Sequence, residues 1–531
     1  MANKNIKKIH HIDCTLRDGG YYTNWNFKKN LVNQYLEAMN AINVDYVEIG
    51  FRFIELKKNK GKLAYCHDDY LNSLSIPKKL KIAIMINAGD FIRNGKYQKN
   101  YVGLYFKKKK NSKISLIRIA AHFYEIGVLK NLSLDLKKLG YKIIINLMQI
   151  SEKKKEEISK TIKFVKKINP RAIYFADSLG SLRTEQTIKI IKTIRLNWKK
   201  DLGIHTHDNL GYALKNSLIA IKKGVRWIDT TVLGMGRGPG NTKTELAIFE
   251  FEKIQKRQID FLPLLKLIKQ KFDSLHSKYM WGTNSFYYLA GLWGIHPSFI
   301  QEMISNELPA EKIIKNLNDL KKIGGQKFAT DLINYNEGFY RQKNIGKWEP
   351  EKIFKDKDVL ILGSSPKLKE KKIKIKKFIN KKKPIVLMLN NNFSVDSKLV
   401  DYRVMCHTMR ILIESNKFIK SKIPLITPFS KFSQRVKKSL EGSKVLDYGL
   451  QVKKNIFEFK KKNCIIPNSL ALSYSLAIAN SGKARSIYLA GFDGYDNNNF
   501  KNDEVKNVFF NYRKTKQSTK IKFITKSIYN I

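Results

Sequence analysis

The chain has 531 residues, of which 43% are hydrophobic and 11% aromatic, a composition that excludes general disorder. At this length two or three domains are expected. The formal net charge of +56 favours anionic ligands, but the basic residues, mostly Lys, are spread along the whole chain. Nucleic-acid binding as the main role is therefore disfavoured, since it requires a concentrated basic surface.

The first 250 residues alternate apolar runs with longer amphipathic stretches, which predicts a parallel sheet covered by helices. Eight strand–helix repeats within about 235 residues favour a closed TIM (β/α)8 barrel over an open sheet. The predicted strands are His10–Leu16, Asp45–Phe51, Lys81–Ala88, Ser115–His122, Tyr141–Gln149, Ala172–Ser178, Asp201–Asp208 and Trp227–Gly234.

Beyond the barrel the pattern becomes helical and aromatic, and Gln342–Lys357 is predicted to be a linker. A second, smaller Rossmann-like α/β domain with a Lys-rich tail follows, with predicted strands Asp358–Gly363, Pro384–Asn390, Tyr402–Cys406 and Ser486–Ala490. The predicted division is therefore a barrel over residues 1–250, a helical subdomain and linker over 251–350, and an α/β domain over 351–531.

The four cysteines are widely separated and form no C-x-x-C pair, so neither a disulfide framework nor a zinc knuckle is predicted. A strand predicted from about residue 9 leaves no room for a signal peptide. No apolar run reaches the ~20 residues that a membrane span needs. These patterns predict a cytoplasmic protein without a membrane span.

Two short segments are predicted to form one metal site at the carboxyl ends of the barrel strands. His205 and His207 are two residues apart on a predicted strand, so their side chains project to the same face. Asp18, after the first predicted strand, adds a carboxylate oxygen. Two imidazoles and a carboxylate suit Mn, Mg, Fe or Zn with positions left open for substrate. The pattern indicates a metal-dependent enzyme.

The segment Asp13–Gly20 resembles the D-x-T-L-R-D-G signature of the DRE-TIM metallolyase superfamily. That superfamily includes 4-hydroxy-2-oxovalerate aldolases, hydroxymethylglutaryl-CoA lyases, isopropylmalate synthases and the pyruvate carboxyltransferase domain. His205–Gly211 and Gly234–Asn241 are similar to its later motifs, and the glycine-rich loop is most similar to that of the aldolase branch. The resemblance covers roughly residues 8–250.

The resemblance implies that Asp18, His205 and His207 bind a divalent ion, Mn²⁺ or Mg²⁺ with Zn²⁺ as the alternative. Asn241 would contact the metal or its ligands from the glycine-rich loop. Retro-aldol cleavage leaves negative charge on an enolate oxygen, and a divalent ion beside a guanidinium stabilises such charge.

The resemblance also implies catalytic roles for Arg17, which would bind the 2-oxo acid, and for Glu48, as an inward-facing partner of Arg17. The aldolases carry a general-base His shortly after the signature, but this chain has tyrosines there. Tyr21 or Tyr22 could replace it, as could the Tyr287/Tyr288 pair, and we take Tyr21 and Tyr288 as the candidates.

The predicted function is a metal-dependent aldolase or lyase acting next to a 2-oxo acid. The alternatives are a Claisen-type acyl or carboxyl transferase, a barrel kept only as a scaffold, and a bifunctional enzyme of cell-surface carbohydrate biosynthesis. In the last, the C-terminal domain would bind a nucleotide sugar, because residues 467–495 faintly resemble sialyltransferase-type folds; a docking or oligomerisation module is an equal alternative. The resemblance further implies a homodimer, or pairing with an aldehyde dehydrogenase that takes the aldehyde.

Overall fold

The computed structural model describes residues 8–54, 60–256, 258–326, 343–363, 365–390, 395–419, 421–495, 500–515 and 518–529. These residues fall into two compact units. The first contains the described residues up to Gln301 together with Gly325 and Gln326, and the second contains Glu302–Gly324 and the described residues from 343 onward. The boundary lies inside the predicted helical subdomain, and the three-part division stays a prediction.

The first unit is a closed barrel of eight parallel strands, as the alternating pattern predicted. Its strands are β1 (His10–Asp13), β2 (Tyr46–Phe51), β3 (Lys81–Asn87), β4 (Ile114–Ala121), β5 (Lys142–Leu147), β6 (Ala172–Asp177), β7 (Leu202–Thr206) and β8 (Trp227–Thr230). The barrel closes where β1 pairs with β8, His10 lying opposite Trp227 and Asp13 opposite Thr230.

A helix connects each strand to the next, and one follows the last strand. These helices are Lys29–Ala41, Asp68–Asn72, Asn100–Tyr105, Leu129–Lys138, Lys155–Ile168, Thr184–Arg195, Ala213–Lys222 and Thr244–Gln255. Further helices of this unit are Leu262–Leu267, Asp273–Tyr279 and Ser285–Leu292. Ser298–Ser305 runs across the boundary between the units. No described helix is both long enough and apolar enough to cross a membrane.

Alternation along the strands separates two apolar layers. On β3, Ile82, Ile84 and Ile86 belong to the outer layer, which includes the helices. Ala83 between them belongs to the barrel interior, together with Leu116. Both layers are apolar because a parallel barrel buries both faces of its sheet, which explains the nearly continuous apolar runs in the sequence.

The first strand ends three residues earlier than predicted. The chain turns at Asp13, whose carboxylate accepts hydrogen bonds from the main-chain N–H and the hydroxyl of Thr15 at 2.9 and 2.5 Å. A short helix, Thr15–Asp18, follows. The Asp side chain thus ends the strand by capping a turn, and Arg17 and Asp18 lie on a helical turn above the barrel.

The second unit contains a seven-stranded parallel sheet. Its strands are β9 (Asp358–Leu362), β10 (Ile385–Leu389), β11 (Tyr402–Val404), β12 (Leu425–Thr427), β13 (Val445–Asp447), β17 (Ser486–Ala490) and β18 (Ile521–Phe523). They lie in the order β13-β12-β11-β10-β9-β17-β18. A separate three-stranded sheet contains β14 (Gly449–Val452), β15 (Glu458–Lys460) and β16 (Asn463–Ile466). The α/β class is confirmed, but the Lys-rich tail contributes an edge strand and is not merely an appendage.

The helices of the second unit include Ala310–Ile323, Glu351–Phe354, Lys372–Lys382, Thr408–Ile419, Gln434–Lys438, Ala471–Ser481 and Phe500–Arg513. The described part of the predicted linker, residues 343–357, packs within this unit. The main-chain N–H groups of Lys347 and Trp348 donate to the carbonyl of Asp447 at 2.9 and 3.0 Å. Gln342 lies outside the described residues.

Candidate metal centre

Asp18, His205 and His207 converge at the carboxyl end of the barrel. One potential ligand atom from each lies within 4.8 Å of the others. The three residues are only 2%, 4% and 7% exposed. His205 lies on β7 and His207 just beyond its end, while Asp18 reaches them from the turn after β1. The two histidines that the sequence placed on one face do lie together.

Each histidine is held through Nδ1, so that Nε2 is left as the metal-binding atom. Nδ1 of His205 lies 2.9 Å from Oδ2 of Asp229. Nδ1 of His207 lies 2.9 Å from the carbonyl oxygen of Asp177. Both partners can only accept hydrogen bonds, so each Nδ1 carries the proton and each Nε2 presents a lone pair. A carboxylate or carbonyl behind a ligating imidazole is the usual arrangement in protein metal sites.

The residues around this point fit a divalent cation. Oδ2 of Asp18 lies 3.3 Å from Nε2 of His205, and Oδ2 of Asp18 and Oδ1 of Asn241 are buried without a hydrogen-bond partner among the described residues. Nδ2 of Asn241 donates to the same Nε2 at 3.1 Å. The carboxylate oxygen and Nε2 that face each other are electron-pair donors, which repel one another unless a cation lies between them. Two imidazoles with oxygen donors suit Mn²⁺, Mg²⁺, Fe²⁺ or Zn²⁺.

The glycine-rich loop allows Asn241 to approach. A Cβ atom at Gly236 would lie 1.9 Å from Oδ1 of Asn241 and 3.6 Å from Cβ of Asp18. Only glycine therefore leaves room for the amide beside the cluster. This close approach explains why the loop similar to the aldolase motif has glycine at this position.

The charges of the three side chains are strongly perturbed. Burial opposes ionisation of Asp18, but the adjacent Arg17 guanidinium outweighs it and holds the pKa of that carboxyl well below its usual range. Burial, together with the neighbouring His205 and Arg237, lowers the pKa of His207 to about 3. Burial also disfavours a charge on His205, but hydrogen bonds to Asp18 and Asp229 raise its pKa. The centre is an anionic pocket that attracts positive charge.

A buried ionic network connects Arg17 to the metal-binding cluster. Nη1 of Arg17 bonds to Oδ1 of Asp18, and Nε of Arg17 donates to Oε1 of Glu48 at 2.6 Å. Oε2 of Glu48 lies 3.1 Å from Nη1 of Arg118, and Nη2 of Arg118 lies 2.7 Å from Oδ2 of Asp229. Asp229 in turn holds His205. Nη2 of Arg17 is buried with no hydrogen-bond partner among the described residues, so it is available to a bound anion.

The network also sets the charge of the site. Its two guanidinium groups, Arg17 and Arg118, face three carboxylates, Asp18, Glu48 and Asp229. The net charge of these five groups is therefore −1, and it becomes +1 when a divalent ion binds.

Arg118 and Asp229 were missed by the sequence analysis. Each is the one charged residue of its strand, Ile114–Ala121 or Trp227–Thr230, and that contrast was the available signal. Arg118 is fully buried, and its guanidinium lies 4.2 Å from the centre of the Tyr174 ring. A fully buried, doubly paired Arg inside a barrel is rare unless it supports a functional group.

The structure brings together six of the predicted site residues: Arg17, Asp18, Glu48, His205, His207 and Asn241. Tyr21 lies at the barrel mouth, 41% exposed, with its ring 5.6 Å from the Arg237 guanidinium carbon. Tyr288 is 40% exposed, and its side chain makes no hydrogen bond to a described residue. On the same helix Tyr287 is the buried residue, at 3% exposed, and its ring packs against Gly238. The roles of both candidate tyrosines stay predictions.

Comparison with known proteins places this site in a family. Residues 115–269 match the family described as HMGL-like. A 4-hydroxy-2-oxovalerate aldolase from Carboxydothermus hydrogenoformans is 28% identical over 252 residues, which are 47% of this chain and 72% of that protein. Another, from Geobacillus stearothermophilus, is 26% identical over 340 residues, covering 61% of this chain and 94% of that protein.

A solved structure gives a more similar sequence. It is the N-terminal domain of a candidate aldolase from Bacteroides vulgatus, 34% identical with a TM-score of 0.52. The alignment covers 58% of this chain and 99% of that domain.

Proposed function

We propose that this chain, which belongs to the HMGL-like family and is a carbon–carbon lyase of the aldolase kind, cleaves or forms a C–C bond next to a 2-oxo acid group. Pyruvate, reacting as its enolate, would be one of the two fragments. The observation that carries the proposal is the arrangement of Asp18, His205 and His207 beside Arg17, whose Nη2 has no hydrogen-bond partner among the described residues. A 4-hydroxy-2-oxo acid is the matching substrate in the cleavage direction.

Arg17 is suited to bind the 2-oxo acid. Glu48 and Asp18 occupy its Nε and Nη1 and fix the plane of the guanidinium, so that Nη2 can donate to an oxygen of the substrate. Guanidinium groups recognise carboxylates and developing oxyanions through such fixed donors. Because the guanidinium is already positioned, little reorganisation is needed when charge develops on the 2-oxo oxygen.

In cleavage, the proton of the C4 hydroxyl leaves, the bond between C3 and C4 breaks, and an aldehyde departs. The electron pair of that bond remains with the three-carbon fragment as the enolate of pyruvate, which then takes a proton at C3. A divalent ion bound by Asp18, His205 and His207 supplies a Lewis acid for the 2-oxo oxygen. Mn²⁺ or Mg²⁺ suits this role.

Tyr21 is our candidate for the proton transfer at the aldehyde oxygen. Burial of its hydroxyl in the barrel mouth raises its pKa, although the nearby Arg237 opposes this. The phenol therefore stays protonated at neutral pH and can donate its proton to the aldehyde oxygen when the bond forms, which leaves a phenolate. In the reverse direction that phenolate takes the proton of the C4 hydroxyl and becomes the phenol again. It occupies the region in which the related aldolases carry their His.

The test is solvent deuterium exchange into the methyl group of pyruvate, measured by NMR with added Mn²⁺ or Mg²⁺. Asp18→Asn removes a ligand charge and should abolish exchange. Asp69→Asn is the matched control, because the Asp69 side chain is 91% exposed and pairs only with Lys107 at 3.5 Å; it should leave exchange unchanged. If metal-loaded wild type shows no exchange, the proposed pyruvate enolate is wrong.

A second candidate function concerns the second unit and rests on its sheet order. Strand order reverses between β9 and β17, and ligands of open α/β sheets bind at the carboxyl ends of strands at such a point. The Gly363 N–H donates to the Ala490 carbonyl at 2.8 Å, and a Cβ at Gly363 would lie 2.4 Å from the Gly491 carbonyl oxygen. The segments that follow β9 and β17 therefore pack closely together at the crossover, and the proposed crevice is formed by the residues just beyond them.

We propose that this crevice binds a nucleotide sugar. Asp493 lies there and accepts a hydrogen bond from the Ser365 hydroxyl, while Nζ of Lys371 lies 3.6 Å from its other oxygen. A carboxylate suits ribose hydroxyls and a lysine suits phosphate. Titration calorimetry of the full chain with cytidine and uridine nucleotide sugars tests this. Asp493→Asn should weaken binding about tenfold, whereas Asp503→Asn, at an 81% exposed side chain, should not; no binding by wild type would contradict the proposal.

A further inference from the structure

A cavity of about 440 Å³ opens on the carboxyl face of the barrel. The loops after β5 and β6 form its walls, and the segments around Gly294 and Gln326 complete it. Its volume is in the range of roughly 300–1,000 Å³ that is usual for small-molecule sites. Neither the metal-binding cluster nor Arg17 lines it, so it is an additional space beside the reacting centre.

The cavity wall is continuous with the residues that hold the metal-binding cluster. The Asp177 carbonyl fixes His207, and the Asp177 carboxylate accepts the main-chain N–H groups of Ser181 and Leu182 at 3.0 and 3.1 Å. Ser181 lines the cavity. One short turn therefore holds a metal ligand on one side and forms the cavity wall on the other.

The opposite wall also lies close to the centre. Gly294 lines the cavity, and Gly291 precedes it by three residues. A Cβ atom at Gly291 would lie 3.1 Å from the carbonyl oxygen of Gly180 and 2.9 Å from Cβ of Asn209. The segment carrying Gly294 therefore packs against the loops that follow β6 and β7, which begin at Asp177 and His207.

The lining is unusually polar for a small-molecule pocket, which normally has mostly apolar walls. Five of its seven residues have polar or charged side chains: Ser151, Glu152, Lys153, Ser181 and Gln326. Leu179 is the one large apolar residue of the seven. The Ser151 hydroxyl is buried and has no hydrogen-bond partner among the described residues. An apolar ligand would leave such groups unpaired, at a cost for each.

We propose that this cavity is the subsite for the aldehyde partner and that it selects aldehydes bearing several hydroxyl groups. The inference rests on the proposed pyruvate chemistry, because it assigns the second reactant of that reaction. The new bond joins C3 of the pyruvate enolate to the aldehyde carbon, whose oxygen takes up a proton. Hydroxyl groups on the remainder of the aldehyde then bond to Ser151 and Ser181.

The size of the cavity supports a hydroxylated chain over a short apolar aldehyde. A space of about 440 Å³ is much larger than a short apolar aldehyde fills. Such an aldehyde would also pair with none of the polar groups in the wall. A hydroxylated chain displaces water from these groups and replaces its hydrogen bonds.

The test compares glyceraldehyde with propanal, which has the same three carbons without the hydroxyls, as partners for pyruvate. Wild type should show a kcat/KM at least about tenfold higher for glyceraldehyde. The double variant Ser151→Ala/Ser181→Ala should reduce that preference to within about threefold. Ser274→Ala/Ser277→Ala is the matched control, because both hydroxyls lie exposed and bond to their own helix; it should retain the wild-type preference.

Deuterium exchange into pyruvate separates the two levels of inference. Exchange should be the same in wild type and both double variants, because none of the four serines contacts the metal-binding cluster. Two outcomes would overturn the subsite alone: wild type that shows exchange but no preference for glyceraldehyde, and a preference that stays unchanged in Ser151→Ala/Ser181→Ala. Absence of exchange in wild type would overturn the pyruvate chemistry, and the subsite with it.

A measurement on wild type covers the case in which the double variant does not fold. Erythritol, a four-carbon polyol without an aldehyde, should inhibit addition competitively with respect to glyceraldehyde and leave deuterium exchange unaffected. Failure to inhibit at concentrations well above the KM for glyceraldehyde would count against a hydroxyl-binding subsite.

Discussion

Arg118→Met tests whether the buried ionic network holds the barrel together. Arg118 is fully buried and pairs with Glu48 at 3.1 Å and Asp229 at 2.7 Å. Methionine removes the guanidinium and keeps much of the side-chain volume, so the dominant effect is two carboxylates left buried without their partner. Removing one member of a buried ion pair costs about 3–5 kcal/mol. We expect a loss of that size in the free energy of unfolding.

The assay is denaturant unfolding followed by far-ultraviolet circular dichroism. Arg171→Met is the matched control, because the Arg171 side chain is 46% exposed and pairs with Asp201 at 3.0 Å; exposed pairs contribute about 0–1 kcal/mol. The double variant Glu48→Gln/Arg118→Met should lose less free energy of unfolding than the sum of the losses in Glu48→Gln and Arg118→Met. The difference should be at least about 1 kcal/mol, because each substitution removes a charge that the other would leave unpaired. A loss below about 1 kcal/mol for Arg118→Met would refute this reasoning.

Three further predictions follow from single positions. Gly236→Ala should lower the affinity for Mn²⁺ about tenfold or more with little loss of stability, because the added Cβ displaces the Asn241 amide. Titration calorimetry measures the affinity. The control is Gly103→Ala, since a Cβ at Gly103 would meet open space. Tyr21→Phe should lower kcat of the pyruvate–aldehyde reaction about 100-fold, and Tyr288→Phe by less than about twofold; a larger effect of Tyr288→Phe would reverse our choice between them. Burial lowers the pKa of His407 to about 3, so the unfolded chain takes up a proton near pH 6.5 and the folded chain does not. The stability that neutral His407 contributes is therefore present above pH 6.5 and is lost as the pH falls toward 3. When the pH is lowered from 7 to 5, the free energy of unfolding of His407→Gln should fall by about 1–2 kcal/mol less than that of wild type. Denaturant unfolding at the two pH values measures this, and equal decreases in the two proteins would contradict the assignment.

Local patterns in the sequence were sufficient for much of the fold. The alternation of apolar strands and amphipathic helices predicted eight barrel strands, and the structure confirms all eight with ends shifted by a few residues. One of these shifts has a clear cause: β1 ends early because Asp13 caps a turn. Side chain to backbone bonds of this kind compete with the strand and are not visible in hydrophobic periodicity.

The sequence was less informative about the second unit. Four of its ten described strands were predicted and six were missed. The missed strands are only three or four residues long: β12, β13, β14, β15, β16 and β18. Short strands carry little periodic signal. Their place in the sheet depends on neighbouring strands distant in the chain, and β18 lies beside β17 although 30 residues separate Ala490 from Ile521.

The donor set of the candidate site could be predicted from local features of the sequence: two histidines on one face of a strand, an Arg–Asp pair in a signature segment, and a glycine-rich loop. The geometry of such features follows from the backbone. Three other features required the folded chain: the link from Glu48 to His205 through Arg118 and Asp229, the burial of Tyr287 rather than Tyr288, and the polar cavity beside the centre. Those contacts join strands and loops far apart in the chain, and they exist only because the barrel closes with a particular register between β1 and β8.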